Sequence, residues 1–157
     1  MRLPLPHLSR WVLLFVSAAV LVAQQMEHTN AFTGTWKLNV VKSKISPGPL
    51  PQSITITFAP DGTTTLEIVN DRGKTYHRSF PWSGGKEVPF TGEGVENTVM
   101  ISSIQGRTKD NILKTNGKVV LTSRDVVSPD GRTLTMTFDT TDKQGRSVHG
   151  VEVYEKQ

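Results

Sequence analysis

The sequence predicts an all-β chain: eight to ten short strands in hairpin order, closed into an up-and-down antiparallel β-barrel. Three observations carry this. No window of a dozen residues keeps an apolar stripe at the 3.6-residue helical period. Short Thr/Val/Ile-rich runs alternate apolar and polar residues, as strands with one buried face do. Turn signals such as Ala59-Pro60-Asp61-Gly62, Asn116-Gly117 and Ser128-Pro129-Asp130-Gly131 separate the runs. A meander of this length either closes or leaves two long edges exposed, and closure removes the edges. A flat sandwich is the rival arrangement.

Composition agrees. The chain has 157 residues, enough for one domain with a core, and a hydrophobic share of 36% that suits a thin β wall better than a helical bundle. It has no cysteine, which excludes disulfides, thiolate zinc sites, a Cys nucleophile and lipid attachment at a leader Cys. The net charge is +4, from 18 basic and 14 acidic residues; without Arg2 and Arg10 it becomes 16 against 14. That weak, scattered excess gives no reason to expect nucleic acid as a partner.

Residues 1–23 read as a signal peptide. Arg2 and Arg10 supply a positive start, and Trp11 to Ala23 is an apolar run shorter than the roughly 20 residues of a membrane span. Cleavage is expected after Ala23, with Ala19 as the alternative site and an uncleaved anchor as the alternative fate. The mature chain is then secreted or periplasmic, without a stable membrane span, and 24–31 is a flexible lead-in to a barrel domain over 32–157.

Within that domain the first strand is expected at Thr35 to Val40. Ser43 to Pro51 follows, where Pro47, Pro49 and Pro51 impose an extended path across the mouth or the wall of the barrel. Gln52 to Phe58 is a strand with Ile54, Ile56 and Phe58 on one face. Thr63 to Val69 returns with Leu66 and Ile68 inward. Lys74 to Pro81 places Tyr76 and Phe80 on one face and His77 on the other. Trp82 to Glu96 is irregular, with a short strand at Lys86 to Phe90. Ser83-Gly84-Gly85-Lys86 is Gly-rich, but no helix follows it to receive an anion, so it reads as a flexible hairpin tip. Thr98 to Ile104, Asn111 to Thr115, Lys118 to Val127, Arg132 to Asp139 and Arg146 to Glu155 complete the meander.

Gly34-Thr35-Trp36 resembles the Gly-x-Trp signature of the calycins, the superfamily of lipocalins and fatty-acid-binding proteins. Phe32 to Leu38 is similar to the opening of a fatty-acid-binding protein, and Val151 to Lys156 to its closing strand. The body resembles lipocalin-like domains of secreted bacterial proteins over most of 31–157. The resemblance implies that Trp36, introduced by Gly34, plugs one barrel end beneath an arginine from a late strand. Arg124 is the first choice for that arginine and Arg146 the second. Two departures stand out. Val41 to Pro51 is too short and proline-rich for a helical lid. The Arg and Tyr that hold a fatty carboxylate on the closing strand correspond to Glu152 and Tyr154, which would suit a neutral or cationic apolar ligand better.

No catalytic motif is present: there is no Gly-x-Ser-x-Gly elbow or phosphate loop, and sequence brings no carboxylate pair together from Glu67, Glu87 and Glu152. His28, His77 and His149 are dispersed, although His77 and His149 could meet in space; no metal or cofactor is expected. The aromatic and Met residues either line a pocket or fill a solid core. The expectation is a non-enzymatic binding protein for a small, mostly apolar molecule, with Tyr154, Glu152, Tyr76, Phe58, Met136 and Phe138 lining the site. Two alternatives are a filled barrel acting as a contact module for an envelope protein and a calycin-type cavity enzyme. Paired, strongly perturbed titratable groups inside the cavity would point to the enzyme.

Overall fold

The structure is a computed structural model that describes residues 30–142 and 144–157. The signal peptide expected over 1–23, and the lead-in as far as residue 29, lie outside the described residues. Twelve antiparallel strands form one sheet: β1 (Gly34–Leu38), β2 (Lys44–Ser46), β3 (Ser53–Phe58), β4 (Thr64–Val69), β5 (Thr75–Phe80), β6 (Val88–Pro89), β7 (Thr91–Gly92), β8 (Thr98–Gln105), β9 (Thr108–Thr115), β10 (Lys118–Val127), β11 (Thr133–Thr141) and β12 (Ser147–Lys156). The sheet runs β6-β8-β9-β10-β11-β12-β1-β3-β4-β5-β7. Its two end strands, β6 and β7, are separated in the chain only by Phe90, so the sheet's ends meet. The result is the nearly closed up-and-down barrel that the alternation and turn spacing predict.

Ten staves make up the wall. β6 and β7 share one, pairing with β8 on one side and β5 on the other. β1 and β2 share another, because both lie along the same edge of β12. The expected first strand is shorter at its C-terminal end, since Val40–Lys42 is a 3-10 turn. Asn39 caps that turn, its side-chain oxygen accepting from the Lys42 N–H at 3.1 Å. The interruption leaves a gap in the ladder, which Ser43 fills: its hydroxyl accepts from the Val153 N–H at 2.9 Å and donates to the Asn39 carbonyl at 2.7 Å. The proline-rich segment thus enters the wall through β2.

Closure depends on Gly92. Its φ is +130°, and a Cβ there would lie 2.2 Å from the His77 carbonyl oxygen. The absence of a side chain lets the short stave lie against β5. Phe90 continues the ladder to β8 through its N–H to the Thr98 carbonyl at 3.0 Å. Its ring sits 5.5 Å from that of Phe80.

The core gathers at one end around Trp36, with Phe32, Leu38, Ile54, Ile56, Phe58, Val127, Leu134 and Tyr154. A smaller cluster of Phe80, Phe90 and Met100 lies behind the closing stave. The Trp36 indole is fully buried and donates to the Phe32 carbonyl at 2.6 Å. This satisfies its one polar atom.

The cation over the indole is neither of the expected arginines. Lys156 supplies it, with Nζ 5.1 Å from the ring. Arg124 projects outward and forms a two-bond pair with Asp110 at 2.7 and 3.1 Å. Arg146 pairs with Asp142 on the loop between β11 and β12. Strand alternation explains the correction: in β10 the inward positions are Ser123, Asp125 and Val127, so Arg124 must point away. β1 and β12 are neighbours at Trp36 and Lys156, which brings that lysine over the indole. Gly34 makes room, since a Cβ at its φ of +126° would meet Lys156 Cε at 2.8 Å.

Candidate functional site

The wall encloses an interior cavity of about 200 Å³. Its apolar lining comes from β3 and β4 (Ile54, Ile56, Phe58, Leu66, Ile68) and from Phe80, Phe90, Met100, Leu113, Leu121, Met136 and Phe138. The polar lining is concentrated on the opposite wall. A second cavity of about 210 Å³ lies towards the plugged end, bounded by Phe32, the Ala59–Gly62 turn, Trp82 and Ile104. Phe58, Thr64, Phe80 and Lys109 border both.

Strand register builds the polar wall. Glu152 pairs with Met136, Met136 with Asp125, and Asp125 with Lys109, so four inward side chains form one row across β12, β11, β10 and β9. The next row is Gly150, Phe138, Ser123, Asn111 and Ser102. Lys109 Nζ lies 3.2 Å from Asp125 Oδ2, and both side chains are buried. Asn111 donates to Asp125 Oδ2 and to Ser123 Oγ, each at 2.9 Å, and Ser123 donates to Asp125 Oδ1 at 3.1 Å. Ser102 donates to Asn111 Oδ1 at 2.7 Å. The network continues to the Ser83–Lys86 turn. Ser83 Oγ accepts from the Ser102 N–H at 2.6 Å and donates to the Ser102 carbonyl at 2.8 Å, so that turn is anchored to β8.

Burial governs the ionisation of these groups. It pushes the Lys109 ammonium below the ordinary lysine range, with Asp125 opposing the shift. The ammonium also faces the rings of Phe58 at 4.2 Å and Phe32 at 5.4 Å. Burial raises the Glu152 carboxyl above its usual range; the Tyr154 hydroxyl, which donates to Oε2 at 2.5 Å, opposes this, while Asp125 adds to it. Tyr154 is itself pushed well above the usual tyrosine range, by burial first and then by Glu152.

The Glu152 shift has a pH consequence. A carboxyl whose pKa rises on folding binds protons more tightly in the native state. Its contribution is therefore fully present below the unfolded value and is lost as pH rises through the folded one. Glu152→Gln should remove that loss: relative to the parent chain, the variant gains stability as pH is raised from 4 to 7. Urea midpoints at the two pH values measure this, and parallel pH dependence in both proteins would refute it.

Five of the six expected ligand-binding residues line the cavity: Phe58, Met136, Phe138, Glu152 and Tyr154. Tyr76 does not; Lys74 and Arg78 lie over its ring, at 4.8 and 5.5 Å from its centre. His77 and His149 lie outside the wall, next to Glu67 and Asp139 respectively. Lys109, Asn111, Ser123 and Arg78 line the cavity although nothing in the sequence patterning marks them, and so does Asp125, which the alternation of its strand sets opposite Arg124 and which by default reads as structural. Thr108-Lys109-Asp110 reads as a loop because a lysine occupies the inward position, and β9 consequently starts three residues before the expected strand. The signal for Asp125 was the alternation of β10 itself, which places 123, 125 and 127 on one face.

The fold is a nearly closed antiparallel barrel, compatible with the calycin architecture, with a mixed apolar and polar interior. No family model matches the chain, and a search of curated protein sequences finds no match.

Proposed function

We propose that this chain is a lipocalin-like binding protein of the secreted or periplasmic space that holds a small, mostly apolar molecule inside its barrel. The observation supporting this is the interior cavity, with an apolar wall from β3 and β4 facing polar rows from β9 to β12. Apolar burial at about 25 cal/mol per Å² supplies affinity, and the polar rows fix orientation. Size narrows the ligand. A cavity of about 150 Å³ accepts benzene, so this compartment of about 200 Å³ suits a single ring or a short chain.

The test uses Gly150. A Cβ there would lie 2.2 Å from Phe138 Cζ. Gly150→Ala therefore forces the Phe138 ring off its site and into the cavity, an overpacking that costs about 1–3 kcal/mol. Indole and hexanol should bind the parent chain in NMR titrations, with at least tenfold weaker binding to the folded variant. Native mass spectrometry of protein purified without delipidation gives the natural occupant. Absence of binding in the parent would leave the barrel as a contact module with its function on the outer surface.

A second reading has one observation in its favour. The Glu152–Tyr154 pair, with both groups shifted upward inside a cavity, is the arrangement of a general acid. Conversion of a co-purified ligand, lost in Glu152→Gln, would establish catalysis.

A further inference from the structure

We infer that the occupant of the barrel is a small apolar carboxylate, a single ring or short chain ending in one carboxyl group, received by Arg78 on β5. The inference rests on the carrier reading above and specifies its ligand.

Arg78 lies near the middle of β5, paired with Leu66 on β4; it is half-buried, its guanidinium lies over the Tyr76 ring at 5.5 Å, and it borders both the cavity and the outer groove beside His77 and Thr91. Its Nε is buried and has no hydrogen-bond partner among the described residues. A buried donor of this kind is costly unless an acceptor reaches it. The other interior cation is already matched: Lys109 has Asp125. Arg78 has no carboxylate within ion-pair distance among the described residues, and Glu93, on the loop after β7, acts on it only through its field. Burial pushes the guanidinium pKa down, against the opposing fields of Tyr76 and then Glu93.

The chemistry of the missing partner follows. A guanidinium presents its N–H groups in a planar fork that matches a carboxylate. The rest of the nearby lining is Leu66, Ile68, Phe80 and Phe90, which favours an apolar body over a hydrated multiply charged one. Glu152, at the position where fatty-acid-binding proteins carry an arginine, lies on β12, four staves from β5, and the Tyr154 hydroxyl is bonded to it. The anchor is thus at a different place in the wall from that family's closing-strand pair. The cavity volume excludes a long acyl chain.

Three probes with one ring and different heads test this: benzoate, benzyl alcohol and benzylamine, titrated into the purified chain at pH 7 by calorimetry or NMR. Benzoate should bind at least tenfold more tightly than the other two. Arg78→Gln should abolish the preference, so that benzoate and benzyl alcohol bind the variant equally; a parent-like amide NMR spectrum along β10 to β12 reports that the barrel is intact. Arg78→Lys, which keeps the charge but loses the fork, should fall between. Equal binding of acid and alcohol, or a preference for the amine, overturns the inference while leaving the carrier reading in place. Benzoate affinity unaffected in Arg78→Gln overturns it too. If none of the three binds, both fail.

Discussion

Asp125→Ala should destabilise the chain by about 3–5 kcal/mol, the usual effect of removing one partner of a buried ion pair. Asp125 is completely buried and Lys109 is 4% exposed, so the ammonium left behind loses its counter-charge where little solvent reaches it. The same carboxylate accepts hydrogen bonds from Asn111 and Ser123, and its loss also breaks the network that ties β9 to β10. The double variant Lys109→Met/Asp125→Ala should recover more than half of the loss, because no buried charge remains unpaired. Urea denaturation of the parent, both single variants and the double gives the coupling directly. A loss below 1 kcal/mol in Asp125→Ala would mean that the Lys109 ammonium is hydrated without its partner, which would refute the pair's role in stability.

Gly92→Val should have the second-largest effect, at least about 2 kcal/mol, from a backbone geometry hostile to L side chains and from overpacking. The steric partner is backbone: the His77 carbonyl oxygen at 2.2 Å and Arg78 Cα at 2.9 Å, neither of which can swing aside. The stave can only move off β5, opening the barrel beside Arg78. Hydrogen exchange should therefore quicken at Phe90, whose N–H bonds to Thr98, and along β5, while β10 to β12 keep their protection. Gly94→Ala is the control. It has a φ of +69° with nothing within 4 Å of its Cβ, so it carries only the modest cost of a left-handed residue, without the clash. A Gly92→Val loss no larger than that of Gly94→Ala would remove both the close approach and the backbone geometry at Gly92 as reasons for the glycine.

Much of the wall could be read from the chain. Ile54, Ile56 and Phe58 face inward as their alternation requires, and Asn116-Gly117 makes the two-residue hairpin between β9 and β10. Reading failed where a polar residue occupies an inward position. Lys109 hid the start of β9, and Arg78 stood unremarked between Tyr76 and Phe80 on the same face. Period-two patterning registers hydrophobicity; it gives no sign of a charge that is paired across the sheet. Arg124 failed for a related reason. Sequence gives the two faces of β10 but not which one is inside, and the polar partners Lys109, Asn111 and Ser123 decided in favour of Asp125.

A β meander, the places where it turns, and the apolar side chains that share a face can all be read along the chain. These follow from local chemistry: strand alternation, turn residues and the absence of a helical period. That the ends of the sheet meet at Val88–Gly92, that Lys156 covers Trp36, and that Glu152, Asp125 and Lys109 lie in one buried row emerges only from the folded barrel. Each of these joins residues far apart in the chain through strand register. Register is set by the packing of the whole barrel and by close approaches such as Gly92 on His77 and Gly150 beneath Phe138, which no local pattern records.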